Sequence, residues 1–213
     1  MNPTPNTAQE LERLIDSNTD AYHAMDIAMF FSACVKKNKL TELKKIYASQ
    51  NVEIQEYAKR YMLKLDRFDA HWPIPPRIAA FLVQKSPIPT LALMKFLSIA
   101  LDLSNKENDK ELFKTLAECR NYLPQLEIGN LYHIFVRAAS LRTQSQYKLL
   151  SVLKIDTNLD KVCSLLEIGK NLSDWGCPIS LAQTNILVSL KEKLTLASTL
   201  PSTPSRGAIN NKI

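Results

Sequence analysis

Apolar residues recur along this chain at helical spacing, in runs separated by short polar or proline-containing breaks. The clearest run is LPQLEIGNLYHIFVRAASLRTQSQYKLL, Leu123 to Leu150. Ile128, Leu131, Tyr132, Phe135, Val136, Ala139 and Leu141 fall largely on one helix face, while Asn130, His133 and Arg137 fall elsewhere. Arg142, Thr143, Gln144 and Ser145 break that pattern, and Tyr147, Leu149, Leu150 and Leu153 open another. The stretch predicts a helical hairpin.

The same unit recurs on either side. Thr7 followed by Glu10 has capping-box spacing and predicts a short first helix with Leu11, Leu14 and Ile15 as its apolar stripe. After a turn at Asp16–Asp20, a helix is predicted over about Ala21 to Lys37, carrying Met25, Ala28, Met29, Phe31, Ala33 and Val35 as its apolar residues. Thr41 is expected to cap a helix through Ala48, followed by one from about Val52 to Phe68. The segment DAHWPIPP, Asp69 to Pro76, cannot continue a helix and marks a loop between hairpins. Further hairpins are predicted at Pro76–Lys85 with Thr90–Leu103, Asp109–Leu123 with Ile128–Leu141, and Ser145–Lys154 with Leu159–Leu172. A last helix covers about Ile179 to Leu196.

The second helices of successive hairpins start near Ala21, Val52, Thr90, Ile128 and Leu159, in steps of 31, 38, 38 and 31 residues. Such a period belongs to two-helix repeats. The expected fold is therefore all-α, a right-handed stack of five to six helical hairpins forming an α-solenoid-like superhelix, with an irregular helical bundle as the alternative. Residues 1–6 read as a flexible arm, 7–198 as the helical-repeat domain and 199–213, rich in Ser, Thr, Pro and Asn, as a disordered tail.

Composition agrees with this picture and narrows the chemistry. Hydrophobic residues make up 46% and charged residues 23%, ordinary values for a globular protein, and glycine is scarce at 4, which disfavours tight β-hairpins. The N-terminus lacks the basic and apolar regions of a secretory signal. The longest apolar passage, Pro87 to Leu103, contains Lys95 and Asp102 and falls short of a membrane span. A soluble, cytoplasmic protein is expected. Cys34, Cys119, Cys163 and Cys177 lie far apart, in or beside apolar runs, and read as buried reduced thiols rather than metal ligands.

No GxSxG, Walker A, GxGxxG or Cys–His pair is present. His23 and His71 read as solvated and packed residues respectively, and His133, off the apolar face, is free to meet a partner. No catalytic residue, cofactor, metal or small-molecule substrate is expected.

The basic residues are more informative. The formal net charge is +6 and the pI about 9.1, which allows nucleic acid without requiring it. Nine cations lie between Lys36 and Arg67 against four acids, and Arg137, Arg142, Lys148 and Lys154 lie in a stretch without Asp or Glu. The candidate partner-binding residues are Lys36, Lys37, Lys44, Lys45, Tyr132, His133, Arg137, Arg142 and Lys148. Lined along one groove, the cations would neutralise phosphates while tyrosines stacked on bases. The bland reading is solvated faces and cations at helix C-termini.

The layout of LEIGNLYHIFVRAASLRTQSQYKLLSVL, repeated in Asn158–Leu194 and more weakly in Ala24–Tyr47, resembles the octotricopeptide repeats and the related repeats of FAST-kinase-like proteins. That resemblance implies an RNA-binding α-solenoid, although no RAP-type domain follows and no position matches a base-reading code. The favoured expectation is a non-enzymatic adaptor or scaffold for a partner protein, within a larger complex; the alternative is single-stranded RNA binding.

Overall fold

The computed structural model describes residues 5–17, 24–61, 74–176 and 179–199. Most of the expected N-terminal arm, the turn after Asp16 with His23, the helix end near Phe68, His71 and Trp72, Cys177 and nearly all of the expected tail lie outside the described residues. Among the described residues the chain forms eleven α-helices and no strand. The all-α class is thus as the periodicity indicates.

The chain divides into two compact units, Met1–Leu153 and Lys154–Ile213. The first contains α1 (Ala8–Ser17), α2 (Ala24–Lys36), α3 (Leu40–Tyr47), α4 (Val52–Tyr61), α5 (Pro76–Lys85), α6 (Pro89–Asp102), α7 (Lys110–Glu118), α8 (Ile128–Arg137) and α9 (Thr143–Val152). The second contains α10 (Leu159–Ser173) and α11 (Leu181–Thr199), which pack on each other. The expected fifth hairpin is therefore divided: α9 packs on α8, and α10 has its partner in α11.

Local chemistry explains where these helices start and stop. Thr7 Oγ1 accepts the Glu10 N–H at 3.2 Å and Glu10 Oε2 accepts the Thr7 N–H at 3.2 Å, the reciprocal capping box read from the sequence. Asn38, at φ 53°, ends α2: its N–H bonds Val35 and the Lys39 N–H reaches back 2.8 Å to the Cys34 carbonyl, a Schellman arrangement. Because α3 begins at Leu40, the cap position falls on Lys39, and Thr41, expected to cap, lies inside the helix. Asn51 Oδ1 accepts the N–H groups of Glu53 and Ile54 and starts α4. Prolines at the first positions of α5 and α6 lack an N–H where none is needed.

In the first unit, α1 to α4 pack on one another, as do α5 to α8. The α2 core face is Ile27, Phe30, Phe31, Cys34 and Val35, a cleaner i, i+3, i+4, i+7 set than the expected one. Met25 and Met29, outside that set, are 71% and 48% exposed. A chain of aromatic rings crosses the unit. Tyr57 of α4 meets Phe31 of α2 at 5.2 Å between centroids, Phe31 meets Tyr47 of α3 at 5.9 Å, and Tyr47 meets Phe81 of α5 edge-on at 5.3 Å. Burial pushes the phenol pKa of Tyr47 and Tyr57 upward, so both stay neutral.

Polar contacts hold α1 against α3. Glu42 Oε2 accepts the Ala8 N–H at 2.8 Å, placing a carboxylate at the positive end of α1, while Lys45 Nζ binds Glu42 Oε1 at 2.9 Å. The Lys45 bond and then the Ala8 bond hold the Glu42 carboxyl below its usual range. Its folded-state pKa lies under the unfolded one, so the stabilisation is complete at neutral pH and lost as pH falls through the folded-state value.

Phe31→Ala should lower unfolding free energy by about 3–5 kcal/mol in a urea titration; a loss below about 1 kcal/mol would mean that the ring does not sit where it is described. Glu42→Gln should cost stability at about pH 7, and that difference should shrink as pH drops below the carboxylate range; a difference independent of pH would contradict the assigned role.

Candidate functional site

The nine candidate residues do not converge. Lys36 and Lys37 occupy the end of α2, and Lys44 and Lys45 the last turn of α3, where cations complement the carbonyl ends of the helices. Lys45 is committed to Glu42. No ion pair among the described residues engages Lys37, Lys44 or Arg142. Arg142 is exposed at the cap position of α9.

Residues 132–148 are placed by α8 and α9. Tyr132 is only 8% exposed, a core residue of α8, because it shares a face with Leu131 and Phe135; it cannot stack on a base without unpacking the helix. His133 is exposed on the opposite side. Arg137 is half-buried, with its Nη2 on the Asp102 carboxylate at the end of α6. Lys148 lies 4.0 Å from the centre of the Phe113 ring of α7, a cation–π contact. Ser145 Oγ donates to Asp109 Oδ2 at 2.5 Å, so α9 is fastened at two points to the α7 region. Arg137 and Lys148 thus have partners far away in sequence, invisible to a count of neighbouring charges.

Two surface grooves of the first unit, among the described residues, carry charged and polar side chains. One, of about 730 Å³, runs between α1 and the α3–α4 turn and is lined by Glu12, Asp16, Lys45, Ser49 and Asn51 among others. Its polar groups bind one another: Ser49 Oγ donates to Glu12 at 2.6 Å and Asn51 Nδ2 to Asp16 at 3.2 Å. The other, of about 330 Å³, is lined by Asn38, Pro75, Arg77, Lys114 and Glu118, with Arg77 Nε 3.6 Å from Glu118. Neither pairs a nucleophile with a base. Among the described residues no three His, Cys, Asp or Glu side chains gather as a metal site.

Two features escaped the sequence reading. Met25 and Met29 stand one turn apart on the outer face of α2, in register with Lys36. The signal was available, since Ile27, Phe30, Phe31 and Cys34 complete the inner face without them. The second is α11, whose apolar residues go round the helix: Ile186, Leu187 and Leu190 are buried, and Leu181, Val188 and Leu196 are exposed. Among the described residues no helix is long and apolar enough to cross a membrane.

The chain matches no protein-family model, no curated protein and no solved structure.

Cys34 and Cys119 are buried free thiols. Burial pushes Cys34 up to about 11, with Lys39 partly opposing, and Cys119 up to about 12, with Glu118 adding to it. Both should resist a thiol reagent in the native protein at neutral pH and react on unfolding in urea; rapid native labelling of either would place it outside the core.

Proposed function

We propose that this chain is a non-enzymatic α-helical interaction module, an adaptor that holds a partner protein within a larger complex. The observation that carries the reading is the outer face of α2, where Met25 and Met29 are exposed at i, i+4 spacing and Lys36 follows on the same stripe. An unbranched thioether side chain adapts to irregular apolar surfaces, so a methionine pair bordered by a cation fits the apolar face of an acidic amphipathic helix. Leaving such residues in water costs the hydrophobic free energy that a partner's covering would return.

The basic residues support the same choice over RNA. Arg137 and Lys45 are matched by acids, Lys148 covers Phe113 and Tyr132 is core, so four of the nine residues that suggested a phosphate-binding groove are engaged within the fold. The RNA-binding solenoid implied by the octotricopeptide-like pattern would need those groups outward. Free, buried thiols at Cys34 and Cys119 fit a reducing, cytoplasmic setting.

Isolated from its native host, the full chain should carry a stoichiometric polypeptide, and Met25→Glu with Met29→Glu should release it while leaving helix content unchanged. Retention of the polypeptide by the double variant would remove α2 as the contact, and recovery of nucleic acid in its place would favour the RNA reading.

A further inference from the structure

α1 carries a narrow apolar seam. Ala8, Leu11 and Ile15 are its buried residues, at i, i+3 and i+7, while Gln9, Glu10, Arg13, Asp16 and Ser17 are exposed. Three inward side chains, one of them a single methyl group, give this ten-residue helix little apolar cover, whereas α5, of the same length, buries five. Polar groups add to that cover, and they come from one stretch of chain. Lys39 Nζ donates to the Asn6 carbonyl at 3.0 Å, the Ala8 N–H to Glu42 Oε2 at 2.8 Å, Ser49 Oγ to Glu12 Oε1 at 2.6 Å and Asn51 Nδ2 to Asp16 Oδ1 at 3.2 Å. These partners run from the residue before α3 to the residue before α4, so α3 and its flanks hold α1 at both ends. The seat is incomplete on one side. The open groove of about 730 Å³ follows α1 from Ala8 to Asp16 and leaves the Glu12 and Asp16 contacts at the edge of open space.

An amphipathic helix set by anchors at i, i+3 and i+7 is the way one protein receives a helix of another; here ligand and receptor belong to one chain. Few buried apolar groups, and hydrogen bonds made at an open border, mark an element that opens before the rest of its unit. We propose that α1 is a removable strap over a helix-receiving groove on α2 and α3, and that the vacated groove takes a partner protein's helix of α1's own pattern, apolar at i, i+3 and i+7 and edged by acids at i+4 and i+8. α1 supplies the argument for that occupant, since Glu12 and Asp16 stand at i+4 and i+8 from Ala8 and meet donors on the receiving side. The charges agree. α1 carries Glu10, Glu12 and Asp16 against Arg13, and the stretch that holds it carries Lys39, Lys44 and Lys45 against Glu42, so an acidic helix is selected over a basic one. Glu42, by accepting the first helical N–H, also sets the direction in which the helix lies. This contact is separate from the Met25–Met29 face and does not depend on it.

Two measurements on the full chain test the strap and the groove. In native-state hydrogen exchange the amides of α1 should exchange ahead of those of α3 and α6, through an opening that depends little on added urea. A fluorescent peptide copying residues 5–17 then probes the groove. Glu12→Ala with Asp16→Ala weakens the strap and leaves the receiving side intact, so this variant should bind the peptide about tenfold more tightly than wild type, with unchanged circular dichroism. A peptide carrying Glu12→Lys with Asp16→Lys should bind the same variant about tenfold more weakly than the unaltered peptide. Met25→Glu with Met29→Glu should leave peptide binding unchanged, which separates this result from partner capture on the outer face of α2. Exchange of the α1 amides only with unfolding of the whole unit, no peptide binding by the weakened-strap variant, indifference to the reversed acids, or loss of peptide binding on substituting the methionines would each overturn the proposal.

Discussion

The first unit depends on helices too short to stand alone finding apolar cover in one another. Eight to fourteen residues make an α-helix marginal in water, so α1 to α9 persist through tertiary packing. The rings of Tyr57, Phe31, Tyr47 and Phe81 show how that cover is passed along. Each lies on a different helix, and the last edge-on pair joins α3 to α5, linking the first four helices to the group that follows. Rings bring large buried area with few rotatable bonds, which suits them to spanning junctions that leucine would fill less specifically.

The same constraint disposes of the charges. Once α8 turns Leu131, Tyr132, Ile134 and Phe135 inward, Arg137 falls within reach of Asp102 at the end of α6. Once α9 lies against α8, Lys148 extends over Phe113 and its stem covers apolar surface while the ammonium meets the ring face. Glu42 closes the other end of the unit by meeting the first N–H of α1. A modest excess of cations is therefore spread over helix ends and internal contacts, while Met25 and Met29 of α2 stay exposed.

Much of this was legible in the sequence, because hydrophobic period and end chemistry are local. Pro76–Lys85 and the Thr7–Glu10 box come directly from such signals. What depends on distant neighbours was not legible. Asp102 lies 35 residues from Arg137, and no local pattern announces that pair. Tyr132 was read as a candidate for stacking because tyrosine suits both roles, although its place between Leu131 and Phe135 decides for the core. Which face of α2 turns inward needed the packing, because apolar residues fall on more than one side of it; Ile27, Phe30, Phe31 and Cys34 make the tighter stripe and leave Met25 and Met29 outside. The division after Leu153 was hidden because α9 and α10 follow each other with ordinary hairpin spacing, and only packing shows that their partners are α8 and α11.

The central claim is that the basic residues serve the fold and the outward surface serves a protein. It is tested most directly by titrating the full chain with a mixed-sequence single-stranded oligonucleotide at rising salt. The account predicts no retained binding at physiological ionic strength and no difference between wild type and Arg137→Glu with Lys148→Glu beyond their stability. Tight binding that falls steeply with salt, and is abolished by that pair of substitutions in a folded protein, would contradict it.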